Sequence, residues 1–243
     1  MLSNTFATEA DARRGLVMAA RRLDARCLDS GSTGNLSVRW HRGARDGFLI
    51  TPGAVPPEEL DAEAIVWLQV VVSSPPLAMV PRGAGPDRAR DPFGVRSPRP
   101  SSAIPMHRAL YAHRDVSAVV HCHPAYATTL SCLPDVQQRG IPPFHHLIAR
   151  AGGDSIRCAG YATFGTDDLA TAVIDAMVDR LACLMASHGL ITMGTSLAAA
   201  VDLTFEVEHL SRIYWQALQV GQPTLLDATR FEQVLKQFAL LGR

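Results

Sequence analysis

The sequence lacks three features that would assign it to large classes of proteins: a long apolar segment, a pattern of paired cysteines and an excess of one charge. No apolar stretch approaches the roughly 20 residues that a membrane-spanning helix needs. The N-terminus also lacks the apolar core of a secretory signal peptide. We therefore expect a cytoplasmic protein with no membrane partner.

Cysteine content, charge and length narrow the class further. The 23 Lys and Arg residues balance the 23 Asp and Glu residues, which gives no electrostatic reason to expect a nucleic-acid partner. With 243 residues, 47% of them hydrophobic, the chain can bury one large core, which predicts a single domain over residues 1–243. The cysteines are odd in number and without CxxC spacing, which is typical of reduced, small apolar side chains; they are Cys27, Cys122, Cys132, Cys158 and Cys183.

Three histidines stand where a metal site could form. His121 and His123 follow an apolar run and are two residues apart, so on an extended strand their side chains point to the same face. His188 follows a second apolar run, Leu184–Ala186. Three neutral imidazoles suit one divalent ion, with Zn²⁺ favoured and Mn²⁺, Co²⁺ or Fe²⁺ also compatible, and they leave coordination positions open for a substrate. In isolation, an HxH pair is more often two ordinary strand histidines.

Several motifs that occur in a fixed order around these histidines make a metal site the better interpretation. The sequence resembles the class II aldolase/adducin family, and within it the L-fuculose-phosphate aldolase branch, from about Ala12 to Leu218. The motifs that carry the resemblance are, in chain order, 31–39 (GSTGNLSVR), 49–52 (LITP), 100–102 (PSS), 121–123 (HCH), 151–153 (AGG), 161–166 (YATFGT) and 188–191 (HGLI).

The resemblance implies a fold, an assembly and a metal-dependent activity. The fold is α/β, with three αβα layers around a central, largely antiparallel sheet. The assembly is a C4-symmetric homotetramer with active sites between subunits. The activity is that of a metal-dependent carbon–carbon lyase, which acts through a metal-stabilised enolate on a small anionic carbonyl substrate.

A glycine-bearing turn before a predicted strand indicates an anion site. Backbone N–H groups and short polar side chains in such a turn can surround a phosphate or a carboxylate. In the resembled aldolases the matching loop and a pair of serines hold the substrate phosphate. The candidate anion-binding residues here are Ser32, Gly34, Asn35, Thr51, Ser101 and Ser102.

The chain departs from the resembled aldolases at both positions that handle protons. A glutamate follows the paired serines in the aldolases, whereas this chain has Ala103. A tyrosine supplied by a neighbouring subunit is replaced here by His146. His146 and His107 are the remaining candidate catalytic residues, although a purely structural role is a strong alternative for His107, which lies on a predicted helix. Each lost acid or base typically contributes about 10²–10⁴-fold to the rate.

These departures leave four functions open. The first is an aldolase-like lyase. The second is a decarboxylase of an oxo-acid or a hydroxylated aromatic acid, which needs the metal but no base, and which is favoured if Ala103 is native rather than engineered. A sugar-phosphate epimerase or dehydratase is the third, and a non-enzymatic adducin-like module is the fourth. The three retained histidines argue against the last.

Apolar periodicity predicts a set of elements around these motifs. Helices are predicted through Leu16–Cys27, Met106–His113, Ala125–Cys132 and Leu197–Leu218, with Thr166 as the N-cap of another helix. Strands are predicted at Leu36–Trp40, Phe48–Ile50, Ile65–Val72, Ala118–Val120 and Leu184–Ala186. From about 73 to 100 the composition shifts to Pro, Gly and Arg, which predicts an insertion or an active-site lid, with the tolerated surface insertion favoured.

Overall fold

A computed structural model describes residues 6–28, 33–70 and 101–241. The helices are α1 (Glu9–Asp24), α2 (Ile104–His113), α3 (Ala125–Ser131), α4 (Pro134–Arg139), α5 (Asp167–Ala176), α6 (Leu197–Val220) and α7 (Ala228–Leu240), together with a 3₁₀ helix at His146–Ala151. The strands are β1 (Asn35–Arg39), β2 (Gly47–Ile50), β3 (Val66–Gln69), β4 (Ala118–Cys122), β5 (Arg157–Ala159), β6 (Ala182–Met185) and β7 (Gly189–Gly194).

The seven strands form one sheet in the order β3-β2-β1-β4-β7-β6-β5. Every neighbouring pair is antiparallel except β5 and β6, which are parallel. The central strands β4, β6 and β7 are buried along their whole length, as expected of strands that are covered on both faces. The predicted central, largely antiparallel sheet is confirmed.

Helices cover both faces of this sheet and give the three predicted layers. On one face α2 and α5 pack against each other and against alternate sheet residues such as Phe48, Val119 and Met193. On the other face α1, α3 and α6 cover the intervening residues, among them Val120 and Leu190. Residue 121 alternates with 120, so His121 faces the α2 side of the sheet.

The predicted elements are present, with shifted ends. The first helix ends at Asp24, and Cys27 adopts a positive φ of 54° in the turn that follows. Trp40 lies just beyond β1. The third strand begins at Val66 and ends at Gln69, and residues 71–72 lie outside the described ranges. Thr166 caps α5 by accepting a hydrogen bond from Leu169 N–H.

Some features were not predicted or fall outside the description. The periodicity did not predict α4, α7, the 3₁₀ helix, β5 or β7. The predicted insertion or lid at about 73–100 lies outside the described residues, as does Ser32. Within the ranges that the structure covers, no helix is long and apolar enough to cross a membrane.

Candidate metal centre

His121, His123 and His188 come together in space although up to 67 positions separate them in sequence. One ring nitrogen from each lies within 4.8 Å of the others. The rings of His123 and His188 are stacked with centroids 5.2 Å apart, and the ring of His121 stands edge-on to both, at 4.6 and 5.0 Å. Three imidazole nitrogens this close together are a suitable ligand set for a divalent ion.

The pairing of β4 with β7 produces this arrangement. His121 lies opposite Ile191 of β7, and His123 follows the end of β4. His188 lies in the three-residue turn between β6 and β7, where Ser187 adopts a positive φ of 53°. Gly189 is required for the close approach, because a Cβ at this position would lie 2.6 Å from the Cys122 carbonyl oxygen and 2.9 Å from His123 Cδ2.

Hydrogen bonds to the Nδ1 atoms orient two of the rings. His121 Nδ1 lies 3.0 Å from the Leu190 carbonyl oxygen. A carbonyl can only accept, so Nδ1 carries the proton and the Nε2 lone pair is free for a metal. His123 Nδ1 lies 3.0 Å from the Thr33 hydroxyl oxygen, which can hold the second ring in the same tautomer.

Burial lowers the pKa of two of the three histidines, His121 and His188. Burial lowers the pKa of His121 well below its usual value, and the neighbouring His123 and His188 lower it further. Burial, followed by the charge of His123, lowers the pKa of His188 to about 4. Both rings are therefore neutral at physiological pH, and no proton has to be displaced from them when an ion binds.

Of the residues predicted to bind an anion, Gly34, Asn35 and Thr51 lie near His121, and Ser32 falls outside the described residues. Asn35 pairs directly with His121 across β1 and β4, so the two side chains share a face of the sheet. Gly34, Thr51 and His121 line a small cleft whose other lining residues are mainly apolar. The Thr51 hydroxyl accepts a hydrogen bond from Leu36 N–H at 3.0 Å, so it also holds β1 to the end of β2.

The paired serines stand at the start of α2. Ser101 is buried, and its hydroxyl accepts a hydrogen bond from Ala103 N–H at 3.1 Å. Ser102 is exposed next to the 160–165 loop, since a Cβ on Gly165 would lie 3.6 Å from Ser102 Cβ. Only Ser102 of the pair therefore presents its side chain freely to solvent.

Comparison with known proteins supports this fold. The family described as Class II Aldolase and Adducin N-terminal domain matches residues 14–215, most of the chain. The chain belongs to the class II aldolase and adducin family.

The relatives are sugar-phosphate aldolases. The chain is 41% identical over 231 residues to 5-methylthioribulose-1-phosphate/5-deoxyribulose-1-phosphate aldolase of Rhodospirillum rubrum, which covers 95% of this chain and 92% of that protein. It is 37% identical over 217 residues to L-fuculose phosphate aldolase of Escherichia coli K12, which covers 88% of each chain. A solved L-fuculose 1-phosphate aldolase superposes with a TM-score of 0.76 at 30% identity, covering 94% of this chain and 96% of the other. The chain is accordingly a lyase of the class II aldolase type, a class that depends on divalent metals.

Position 103 carries alanine where the aldolase pattern has glutamate, and the structure shows where this alanine lies. Ala103 is the N-cap of α2, is 5% exposed and packs in the same apolar cluster as Met106. A methyl group can neither take nor return a proton. The glutamate that the aldolase pattern has at this position is thus replaced by a side chain that belongs to the core.

His107 is fully buried, on the second turn of α2. Its Nδ1 lies 2.7 Å from the Ser37 hydroxyl oxygen, which in turn lies 2.8 Å from the hydroxyl oxygen of Tyr111. Its Nε2 has no hydrogen-bond partner among the described residues. Burial lowers the pKa of His107 to about 3. The ring is closed off from solvent and hydrogen-bonded to Ser37, which favours the structural alternative for this residue.

His146 occupies the other position that departs from the aldolases. It is exposed at the first residue of the 3₁₀ helix, with its ring centroid 4.5 Å from that of His145. Among the residues that the structure describes, the group able to hold a metal comprises His121, His123 and His188, without His146. Within one chain His146 is therefore a surface residue.

Two contacts at the site could not be predicted from the sequence. The Leu190 carbonyl orients His121, and Glu208 accepts hydrogen bonds from the first turn of α3, directly after His123. Glu208 is more than 80 positions away along the chain. No local pattern indicates such a contact, because it depends on the packing of α6 against α3.

Proposed function

We propose that this protein is a metal-dependent carbon–carbon lyase that cleaves a small phosphorylated ketose. The observation that carries the proposal is the group of three histidines immediately beside the Gly34–Asn35 turn. A carbonyl bound at the histidine group and a phosphate bound at the turn would be two ends of one small molecule. A ketose 1-phosphate has both groups, separated by a single carbon.

The relatives support this substrate class. The Rhodospirillum rubrum protein is named for 5-methylthioribulose 1-phosphate and 5-deoxyribulose 1-phosphate, and the Escherichia coli protein for L-fuculose phosphate. All three names describe ketose phosphates that end in a methyl or methylthio group rather than a hydroxyl. We therefore propose a deoxy or methylthio ketose 1-phosphate as the first substrate to test.

The side chains suit metal chemistry rather than Schiff-base chemistry. His121, His123 and His188 would hold the ion, with Zn²⁺ the first candidate, and the ion would polarise the substrate carbonyl and stabilise the developing negative charge. The alternative aldolase mechanism needs a lysine whose pKa is lowered by burial. The only lysine of the chain, Lys236, is 70% exposed and pairs with Glu232 at 2.7 Å.

A second function is favoured by Ala103. Retro-aldol cleavage needs a base to remove a hydroxyl proton, whereas decarboxylation generates its carbanion by loss of CO₂. A site that keeps the three histidines and has alanine at position 103 is therefore compatible with a carboxylated substrate, either an oxo-acid or a hydroxylated aromatic acid. In that case the anion site would bind the substrate at a carboxylate.

We further propose that the protein works as a homotetramer with active sites shared between subunits. His146 supports this arrangement, because it is exposed within one chain and lies outside the histidine group. A neighbouring copy could bring it to the site, where an imidazole can donate or accept a proton near neutral pH. His146 is the candidate acid or base in this scheme.

The test is a direct assay of both reactions. The protein, stripped of metal and reloaded with Zn²⁺, Mn²⁺ or Co²⁺, is incubated with 5-deoxyribulose 1-phosphate, 5-methylthioribulose 1-phosphate and L-fuculose 1-phosphate, and release of the aldehyde and of dihydroxyacetone phosphate is measured. The same samples are tested for CO₂ release from oxo-acids and hydroxylated aromatic acids. Metal-dependent aldehyde release that is lost in His188→Ala supports the aldolase. CO₂ release alone supports the decarboxylase, and neither product with any metal would refute both.

A further inference from the structure

One short helix, α3, joins the two chain segments that carry the candidate metal ligands. His123 lies two residues before its first residue, Ala125. At its other end the Ser131 carbonyl accepts a hydrogen bond from Ser187 N–H at 3.0 Å, and Ser187 directly precedes His188. The position of α3 therefore affects the distance between His123 and His188.

The N-terminus of α3 is capped from outside the helix. Its own N-cap residue is Pro124, whose side chain cannot accept a hydrogen bond. Glu208 of α6 takes that role with both carboxylate oxygens: Oε1 accepts from Tyr126 N–H at 2.9 Å and Oε2 from Ala127 N–H at 2.8 Å. A negative charge at a helix N-terminus also interacts favourably with the helix dipole.

The surroundings of Glu208 hold its carboxylate in place. The residue is partly buried, and burial raises its pKa while the two backbone N–H groups and Arg212 lower it. The Arg212 guanidinium lies over the Tyr126 ring, 5.6 Å from its centroid, and the ring centroid of Trp215 is also 5.6 Å from that of Tyr126. Glu208, Arg212 and Trp215, which follow one another at intervals of about one turn on α6, thus all contact the first turn of α3.

The C-terminal end of α3 is fixed just as firmly. The Ser131 carbonyl accepts a second hydrogen bond, from Gln137 Nε2 at 2.8 Å, and Ser131 is fully buried. The turn that it holds contains Ser187 in the left-handed conformation, which residues other than glycine adopt only at an energetic cost. The segments that carry His123 and His188 are therefore both attached to α3.

We propose that Glu208 is a positioning residue of the metal centre. Its carboxylate fixes the first turn of α3, and the restricted φ of Pro124 carries that constraint to His123, which is thereby held at the right distance from His188. Glu208 itself does not contact the metal or the substrate. The inference rests on the proposed metal site, and the two can fail separately in the experiment below.

The experiment compares Glu208→Gln with Glu206→Gln, a matched control on the same helix. Glu206 pairs with Arg150 at 3.3 Å, away from α3. Affinity for Zn²⁺ is measured on the metal-free protein by competition with a chromophoric chelator, and the visible spectrum of the Co²⁺-loaded protein reports ligand geometry. We expect Glu208→Gln to weaken Zn²⁺ binding by about 10-fold, in the range typical of outer-shell partners of metal ligands, and to alter the Co²⁺ spectrum. Glu206→Gln should change neither.

Two further variants keep the outcomes separate. His123→Ala should abolish binding; if it does not, the metal site itself is wrong and the inference falls with it. If His123→Ala abolishes binding but Glu208→Gln binds Zn²⁺ like the wild type and shows its Co²⁺ spectrum, only the role of Glu208 is overturned. Should Glu208→Gln not fold, Glu208→Asp decides: its carboxylate keeps the charge but is too short to reach both amides, so we expect weaker binding, and wild-type affinity would overturn the proposal.

Discussion

At the scale of single residues, position 103 has the largest consequence for the chemistry. Asn35 and the three histidines retain polar groups at the site, whereas Ala103 contributes a buried methyl group to the core under α2. Its neighbour one turn later, His107, has a buried Nε2 without a partner among the described residues. Residues four apart on a helix face each other, so a carboxylate at 103 could come within reach of this nitrogen.

The first prediction concerns Ala103→Glu. If the protein is an aldolase that lacks its base, the new carboxylate should raise retro-aldol turnover on the order of 10²-fold, because general-base catalysis contributes about that much. Ala103→Gln, similar in shape but unable to transfer a proton, is the control and should give no gain. A native decarboxylase should instead become slower, since the added negative charge repels an acidic substrate and competes for the metal. Unchanged rates for both reactions would mean that protons move through other residues, with His146 the first to examine.

The residue scale is also where sequence reasoning was most successful. The HxH spacing and the His188-Gly189 pair identified all three members of the histidine group, because alternation on a strand places residues two apart on one face. Burial could not be inferred in the same way. His107 is polar and lies near the paired serines in sequence, yet its side chain points into the core between α2 and β1. There it is hydrogen-bonded to Ser37, which is hydrogen-bonded in turn to Tyr111.

At the scale of elements, the β4–β7 pairing is the feature that assembles the metal centre. Gly189 allows β7 to approach the Cys122 carbonyl and the His123 ring more closely than any side chain would permit. The turn before it presents His188 to the end of β4. The geometry of the histidine group thus depends on main-chain packing as well as on ligand identity.

The second prediction tests this dependence with Gly189→Ala. The added Cβ would meet the Cys122 carbonyl oxygen at 2.6 Å, which is backbone and cannot move aside. We expect the free energy of unfolding to fall by about 1–3 kcal/mol and Zn²⁺ affinity to fall as well. Gly221→Ala is the control, since an added Cβ there meets no atom of the described residues within 4 Å, and should change stability by less than about 0.5 kcal/mol. Equal stability and equal affinity in both variants would show that the strand approach is not critical.

Most helices and the strands that carry an apolar run could be predicted from the sequence, whereas several connecting and edge elements could not. The α6 helix is 24 residues long with a continuous apolar stripe, and it was predicted to within two residues. The β5 strand has three residues at the sheet edge, too few for alternation to show. In α7 the residues Phe231, Val234 and Phe238 recur at helical spacing and pack against the core, so this helix was missed although its pattern is visible in the sequence. The end of α1 was misplaced because Cys27 continues the apolar spacing of the helix but lies in a turn with positive φ.

At the scale of the whole molecule, the sheet order explains why residues distant in sequence meet. Strand β4 lies between β1 and β7, so the Gly34–Asn35 turn reaches His121 from one side and the His188 turn from the other. Two layers of helices, one on each face, bury the sheet. The site lies at one end of the central strands. Glu208 reaches the site only because α6 packs against α3, so a local sequence pattern could not indicate its contact.

The third prediction concerns the assembly. If each active site combines the histidine group of one copy with His146 of a neighbour, His146→Ala and His188→Ala should each be inactive alone. Reassembled from a mixture of the two, the protein should recover measurable turnover, because some sites then contain both intact residues. Size-exclusion chromatography with light scattering should report a tetramer for each sample. Full activity of His146→Ala, or a monomer that is fully active, would contradict shared sites.

The most direct measurement for the whole account is the metal content of the wild-type protein and of the variant in which His121, His123 and His188 are all alanine. Both are loaded with Zn²⁺, dialysed and analysed by mass spectrometry of the metal, and circular dichroism checks that the variant keeps its fold, as expected because a catalytic ion contributes less to folding than a structural one. We expect one Zn²⁺ per chain in the wild type and none in the folded variant, together with loss of turnover. Full Zn²⁺ occupancy in the folded triple variant would contradict the assignment of the metal centre, and with it the proposed lyase mechanism.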